Sequence, residues 1–450
     1  MDSESLTVAK ELLLSLKTDT TDIKSSGIEE VNMLRGHHLK SDHFSSMRIP
    51  ISLVNKLCER RIDKASFIQK SSIPPILEGN PVSVQSNSGS GKTIAYTIGI
   101  LPKIIGDRSA QCLVITPTKE LSRQVKEEMT FYADAMQLKV ENPVTRNDYT
   151  PGKAEIIVGC PGTLLNLIDY FRDIKFVILD EADFLLQPEK MGQETLLILK
   201  LIPNAQRLYF SATYSFKIKD LIKSIENGKF LPHFKSDCES RLSYQSRMFL
   251  NQSNFIPTKE LVTIYDTENK KPEEIKLFHT FVHENEKISF LLKLYDLLPM
   301  SQSIIFVNKR STVDELKKIF ENDYYKVSYI HGDMDTETRT KFVNEFSQGK
   351  TKILIATDIF SRGMDIPLVN AIINFDLPLS RFGLDTRTYI HRIGRSGRFG
   401  RKGFVLDFCS QENDFEAVNK VSKDLSFPNK FFQKNDLEAA WEQIENSNFY

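Results

Sequence analysis

Ser86-Asn87-Ser88-Gly89-Ser90-Gly91-Lys92-Thr93 stands directly after an apolar strand pattern, Val82-Ser83-Val84, and directly before an apolar helix start. A loop that wraps a row of phosphates needs small residues, so that successive backbone N–H groups can turn inward. It also needs a lysine for the outer phosphates and a hydroxyl for magnesium. Ser88, Gly89, Ser90 and Gly91 meet the first need, Lys92 the second and Thr93 the third. The helix that follows offers its positive N-terminal end to the same ligand. A surface lysine after a glycine turn is the plainer reading, and the full spacing argues against it. Loops of this kind sit at the carboxyl end of a strand in a parallel α/β sheet, so the octapeptide carries the fold class with it.

A second motif supports the first. Asp180-Glu181-Ala182-Asp183 closes the solid apolar run Phe176-Val177-Ile178-Leu179. A strand that ends in two carboxylates beside a phosphate loop supplies a magnesium contact, here Asp180, and a group to orient or deprotonate the attacking water, here Glu181. Ser211-Ala212-Thr213 follows a third strand pattern, Leu208-Tyr209-Phe210. Alone it is a common tripeptide, and its place one strand after Asp180 gives it meaning. Together the motifs predict ATP-type hydrolysis with Mg2+.

Working outward, apolar strands alternate with helical patterns twice over. Cys112-Leu113-Val114-Ile115 and Ile156-Ile157-Val158 belong to the first series. Ile304-Ile305-Phe306-Val307, Ile353-Leu354-Ile355, Ala371-Ile372-Ile373 and Phe404-Val405-Leu406 make a second. Runs that are apolar on both faces mean parallel sheets covered by helices on either side. The expected organisation is an N-terminal extension over 1–40, a first α/β domain over 41–229, a linker with an insertion over 230–275 and a second α/β domain over 276–450. The insertion mixes aromatic and basic side chains, among them Arg241, Tyr244, Arg247 and Phe249; it reads as a surface element of the linker, with contact to RNA or a partner as an alternative that no spacing rule supports.

The second series ends in His391-Arg392-Ile393-Gly394-Arg395-Ser396-Gly397-Arg398. Between Arg381 and Lys402 lie seven Lys/Arg and one acid, Asp385. A solvated basic face is the bland reading. The spacing of Arg392, Arg395 and Arg398 would instead bring three guanidinium forks together on a helix, and such forks suit a transferring phosphoryl group. Arg395 and Arg398 are the candidate catalytic arginines. They lie on the second series and the phosphate loop on the first, so hydrolysis is expected to need closure of the two domains.

Composition is ordinary for a soluble globular protein at 40% hydrophobic and 26% charged, and 59 basic residues balance 59 acidic ones. Bulk charge therefore argues for no nucleic-acid role, and local basic surface must carry one. The five cysteines form no CxxC pair, which points to a reducing compartment without a zinc site. No apolar run approaches the roughly 18 residues of a membrane span, and no signal peptide is legible, so cytoplasm or nucleus is expected.

These motifs, in this order, resemble the DEAD-box RNA helicases over roughly residues 41–425. The resemblance implies two tandem RecA-like parallel-sheet domains, a helicase superfamily-two P-loop fold, acting as a monomer on ATP and single-stranded RNA. It implies further site residues. Phe44 and Gln69 occupy the adenine-recognition positions, and Gly363 with Asp365 the ribose position. Pro117, Thr118, Lys119, Gly162, Thr163 and Thr357 are RNA contacts, while Ser211, Thr213 and His391 couple hydrolysis to the grip on RNA. The chain departs from the family in three places. Arg61-Ile62-Asp63-Lys64-Ala65 replaces a usual Gly-Phe-x-x-Pro, Lys119 replaces an arginine, and the paired glycines expected near Pro143 are not seen.

Within the family, the Leu379–Thr388 loop, the Phe399–Gly403 segment and the tail around Trp441 look most like the members that serve mRNA export at the nuclear pore. That implies a nucleoporin and an export activator with inositol hexakisphosphate as partners, and a place in nucleus and cytoplasm or at the pore itself. Ribosome assembly, translation and a slow ATP-gated RNA clamp are the alternatives, with a DNA-directed ATPase disfavoured.

Overall fold

The computed structural model describes residues 43–87, 89–171, 173–229, 241–252, 259–266, 275–297, 302–358, 369–380, 383–396, 403–424 and 429–431. The extension over 1–40, Ser88, Gly363, Asp365, Arg398, residues 399–402 and the tail around Trp441 lie outside them. The chain divides into two compact units at Thr267/Glu268.

The first unit is built on a seven-stranded sheet. Its strands are β1 (Val82–Gln85), β2 (Cys112–Ile115), β3 (Val140–Glu141), β4 (Ile156–Gly159), β5 (Phe176–Asp180), β6 (Gln206–Ser211) and β7 (Val262–Tyr265). They lie in the order β3-β4-β2-β5-β6-β1-β7, and every pairing is parallel. Side chains alternate faces along each strand. Leu113 and Ile115 enter one core layer, with Val177, Leu179 and Tyr209. Cys112 and Val114 enter the other, with Ile178, Leu208 and Phe210. Burying each large apolar side chain stabilises by about 1.5–3 kcal/mol, so a strand apolar on both faces has no stable place at a one-sided surface.

The second unit repeats the plan. It contains β8 (Ile275–Phe281), β9 (Ser303–Phe306), β10 (Val327–Ile330), β11 (Ile353–Ala356), β12 (Ala371–Asn374), a small antiparallel pair β13 (Leu379–Ser380) and β14 (Gly383–Leu384), β15 (Gly403–Cys409) and β16 (Asn429–Phe431). The main sheet runs β10-β11-β9-β12-β15-β8-β16. Counted by order along the chain, with the small pair set aside, this is the permutation of the first sheet, so the two units share one topology. Parallel neighbours need crossover connections, and helices such as Lys119–Ala133 and Arg310–Asn322 supply them.

The sequence placed the end of the first domain at 229, with the linker beginning there. The structure moves that boundary. Val262–Tyr265 pairs in register with Val82–Gln85 as the sheet's outer strand, and Leu242 and Leu250 of the insertion are buried in the first core. A four-residue strand with only partial burial gives too weak a pattern to be read from sequence. Among the described residues no helix is long and apolar enough to cross a membrane.

Candidate functional site

Three motifs meet at the carboxyl ends of three adjacent strands, β5, β6 and β1. The phosphate loop leaves β1, where the Ser86 N–H donates to Ser211 O at 3.0 Å and so stays in step with β6. Gly89 and Gly91 hold φ of 81° and 89°, the left-handed region that costs glycine nothing. At Gly91 an added Cβ would also strike the Gln69 side chain. Lys92 opens the helix Lys92–Ile100. Its Nζ donates to Ser86 O at 2.7 Å and Asn87 O at 3.0 Å, so the ammonium lies inside its own loop.

The helix Phe67–Glu78 braces the loop from behind. Ser66 and Gln69 form a capping box at its N-terminus. Ser66 Oγ donates to Ser90 O at 2.8 Å. Gln69 Oε1 accepts from the Ser66 N–H at 2.8 Å, while its Nε2 faces Gly91 O at 3.4 Å. The amide expected to read a base edge thus also holds the phosphate loop. Phe44, expected to stack on a base, is 2% exposed and packs in the core with Met47 and Leu53. Its burial follows from the short helix Phe44–Met47 lying against the unit.

Arg61, at the departure from the family pattern, closes a helix. Arg61 has φ 59°, and the helix Ile51–Glu59 ends with Arg61 N–H donating to Cys58 O and Ile62 N–H to Leu57 O. This is the glycine-type helix ending, made here by an arginine at a cost of about 1 kcal/mol.

Asp180 terminates β5 in a buried position. Its Oδ2 accepts from Tyr96 OH at 3.0 Å, and Oδ1 accepts from the Glu181 N–H at 3.1 Å. Burial first, and the Glu181 carboxylate second, push its carboxyl up to about 7, against the pull of Lys92. Burial, with Asp180 next, also pushes the Tyr96 hydroxyl well up. Glu181 sits at φ 59° between strand and helix, a conformation non-glycine residues rarely take and one that recurs at active sites. Asp183, not among the residues singled out from sequence, accepts from Ser211 Oγ at 2.6 Å and Thr213 Oγ1 at 2.6 Å. The last acid of one motif and both hydroxyls of the next are therefore one unit. Two short polar side chains within three residues, one strand after an acid-rich strand end, were the signal available for it.

Of the expected RNA contacts, Thr118 caps the helix Lys119–Ala133 by accepting from the Leu121 N–H at 3.2 Å. Lys119 is exposed in its first turn and Pro117 is buried behind it. Gly162 and Thr163 lie on the helix Pro161–Asn166, with Thr163 Oγ1 donating to Val144 O at 3.3 Å.

In the second unit, Thr357 follows β11, its N–H donating to Ile330 O at 3.1 Å. The helix Thr386–Ile393 carries His391 and Arg392 and stops before Gly394, so Arg395 does not share a helix with Arg392. Arg392 points inward. It donates to Asp358 Oδ1 at 2.6 Å, Asp376 O at 2.6 Å, Asn308 Oδ1 at 3.0 Å and Asn374 Oδ1 at 3.2 Å, over the Phe306 ring. Arg395 lies in the turn beyond, its Nε donating to His391 O at 3.1 Å. Arg392 is thus the anchor that fixes the ends of β9, β11 and β12, a role its even spacing with Arg395 concealed. Behind it Asp407 accepts from Asn374 Nδ2 and Tyr389 OH, both at 2.6 Å, and burial pushes its carboxyl up to about 6.

Comparison with known proteins agrees with this layout. A DEAD/DEAH box helicase model matches residues 66–221, and a helicase conserved C-terminal domain model matches residues 286–400. The ATP-dependent RNA helicase DBP5 of Saccharomyces cerevisiae is 30% identical over 393 residues, covering 84% of this chain and 75% of the relative. The solved structure of that yeast protein bound to RNA and ADP BeF3 superposes with a TM-score of 0.77 at 26% identity, covering 90% of this chain and 100% of the other. A variant of it bound to Nup159, Gle1, IP6 and ADP gives 0.59 at 25% identity, covering 89% of this chain and 99% of the other.

Proposed function

The chain belongs to the DEAD-box family of ATP-dependent RNA helicases, and on that footing we propose that it grips single-stranded RNA and uses ATP hydrolysis to open short duplexes or strip RNA–protein contacts in mRNA export. The observation that carries the reading is the meeting of Lys92, Asp180 with Glu181, and Ser211 with Thr213 at three adjacent strand ends. When bound, ATP supplies the phosphoryl group and Mg2+ the charge that steadies it.

The residues fit that ion. A buried carboxyl held near neutrality beside a second acid, as Asp180 is, is favoured as carboxylate by a divalent cation, and the Thr93 hydroxyl is the natural second ligand. Lys92 would exchange its two loop carbonyls for phosphate oxygens. Glu181, fixed by its strained backbone, would orient and deprotonate the attacking water. Ser211 and Thr213 would report the state of that site through Asp183. Arg395, Arg398 and His391 of the second unit would complete it on closure. Pro117, Thr118, Lys119, Gly162, Thr163 and Thr357 would hold the RNA, chiefly by its phosphates, so binding would tolerate sequence and weaken with salt.

The export role rests on the likeness to DBP5. The partners would be a nucleoporin and an activator bound with inositol hexakisphosphate, a highly charged anion that demands clustered Lys and Arg, and the site of action the nuclear pore. The first test is ATPase rate with RNA, with DNA and with neither, on the full chain. Stimulation by RNA alone supports the activity; equal stimulation by DNA rejects the RNA assignment. The second is depletion in the source cell. Nuclear accumulation of polyadenylated RNA with normal ribosomal RNA processing supports the export role, and a primary pre-ribosomal RNA defect rejects it.

A further inference from the structure

We infer that Arg241, in the insertion between the helix Phe216–Glu226 and β7, is a positioning residue for RNA: it locks the helix Pro161–Asn166, and with it Gly162 and Thr163, in the shape that RNA meets. The inference rests on the reading above that these two residues contact RNA.

The helix Pro161–Asn166 has only six residues. Helices this short do not hold themselves in water, so their geometry must be imposed from outside. Arg241 imposes it. One guanidinium nitrogen donates to Gly162 O at 2.8 Å and to Asn166 Oδ1 at 2.9 Å, and Nε donates to Asn166 Oδ1 at 3.2 Å. A single planar fork thus joins the first turn of the helix to its last residue. The other terminal nitrogen pairs with Glu194 of the helix Lys190–Leu201, whose carboxylate is 8% exposed. The pair lies directly over the glycine. A Cβ built on Gly162 would stand 3.3 Å from Glu194 Oε2 and 3.6 Å from Arg241.

Two independent anchors set where Arg241 stands. Leu242 and Leu250 are 3% and 4% exposed in the first core. Ser243 Oγ and Ser246 Oγ donate to Asp169 Oδ1 at 2.7 and 2.6 Å, just past the short helix. The inserted segment therefore grips both ends of the element that carries Gly162 and Thr163. Lysine cannot replace this arginine, because an ammonium has no rigid fork to join a carbonyl, an amide and a carboxylate at fixed angles.

The test is RNA-stimulated ATPase and RNA binding by the full chain. In Arg241→Lys, the RNA concentration for half-maximal stimulation should rise about tenfold, the loss expected for one charge-assisted contact. Turnover at saturating RNA and the KM for ATP should stay within about twofold. Glu194→Gln should shift RNA affinity the same way, since Arg241 then loses its anchor. If either variant folds poorly, Glu194→Met with Arg241→Met removes both charges of the pair and should show the same RNA defect in a stable protein.

If instead Arg241 touched a phosphate directly, Arg241→Lys would change affinity little and Arg241→Met would lower the salt slope of RNA binding by about one; that result overturns the inference. Thr163→Ala separates it from the reading beneath it. Weakened RNA binding in Thr163→Ala with Arg241→Lys unaffected defeats the inference alone. RNA affinity unchanged in both, in a protein that RNA stimulates, defeats the inference together with the placement of RNA at Gly162 and Thr163.

Discussion

Glu226→Gln should unfold the first unit far more readily than its size of change suggests. Arg207 on β6 and Glu226 on the helix Phe216–Glu226 form a bidentate pair at 2.6 and 3.0 Å, with side chains 0% and 1% exposed. Tyr209 OH donates to the same carboxylate at 2.6 Å, and Arg207 also donates to Pro203 O at 2.9 Å. The amide keeps the shape but removes the charge, and turns one acceptor into a donor facing the guanidinium. The buried guanidinium then keeps the amide oxygen and Pro203 O as acceptors but loses the carboxylate's charge. Breaking a buried pair in this way costs about 3–5 kcal/mol, a shift of roughly 6–20 °C for a unit of this size. Differential scanning calorimetry of the full chain reads it as a change in the first unit's transition, with the second unit's unmoved. Glu226→Met with Arg207→Met should recover most of the loss, because an apolar pair of similar volume carries no desolvation cost. β6 ends in Ser211, so the single variant should also bind ATP more weakly before it unfolds. A loss below about 1 kcal/mol in Glu226→Gln would refute the view of this pair as the buried strut behind the catalytic strand.

Three further outcomes follow from the same geometry. Lys92→Ala should abolish ATP binding, by equilibrium titration with a fluorescent analogue, while circular dichroism stays native; near-normal ATPase would remove Lys92 from the site. Glu181→Gln should bind ATP and RNA together and release them slowly, whereas Glu181→Gly should gain about 1 kcal/mol of stability by relieving the φ of 59° yet hydrolyse no ATP. Asp407 holds its proton up to about 6 in the fold and to 3.8 in the unfolded chain. This raised value gives stability that is present below about pH 4 and lost as pH rises to about 6, up to about 3 kcal/mol. In urea unfolding at pH 4.5 and 7.5, Asp407→Asn should flatten that slope, and an unchanged slope would show that another group sets it.

The sequence by itself determined the parallel sheets, the phosphate loop and the acid-ended strand. Each rests on contiguous residues whose chemistry is local: apolar runs such as Phe176–Leu179, or glycines at 89 and 91 before Lys92 and Thr93. Only the tertiary structure decided which strands became neighbours, and so that Asp183 would join Ser211 and Thr213, residues distant in the chain that β5–β6 pairing brings together. It also decided that Arg392 turns inward while Arg395 lies in the turn beyond. Spacing on an assumed helix cannot foresee that the helix ends at Ile393, or that Asn308, Asp358 and Asn374 await the guanidinium at three other strand ends. The insertion makes the same point. Its mixed polar and aromatic letters carry no period, so its attachment to the first unit rests on Leu242, Leu250 and Arg241 finding partners in the fold, which no local pattern encodes.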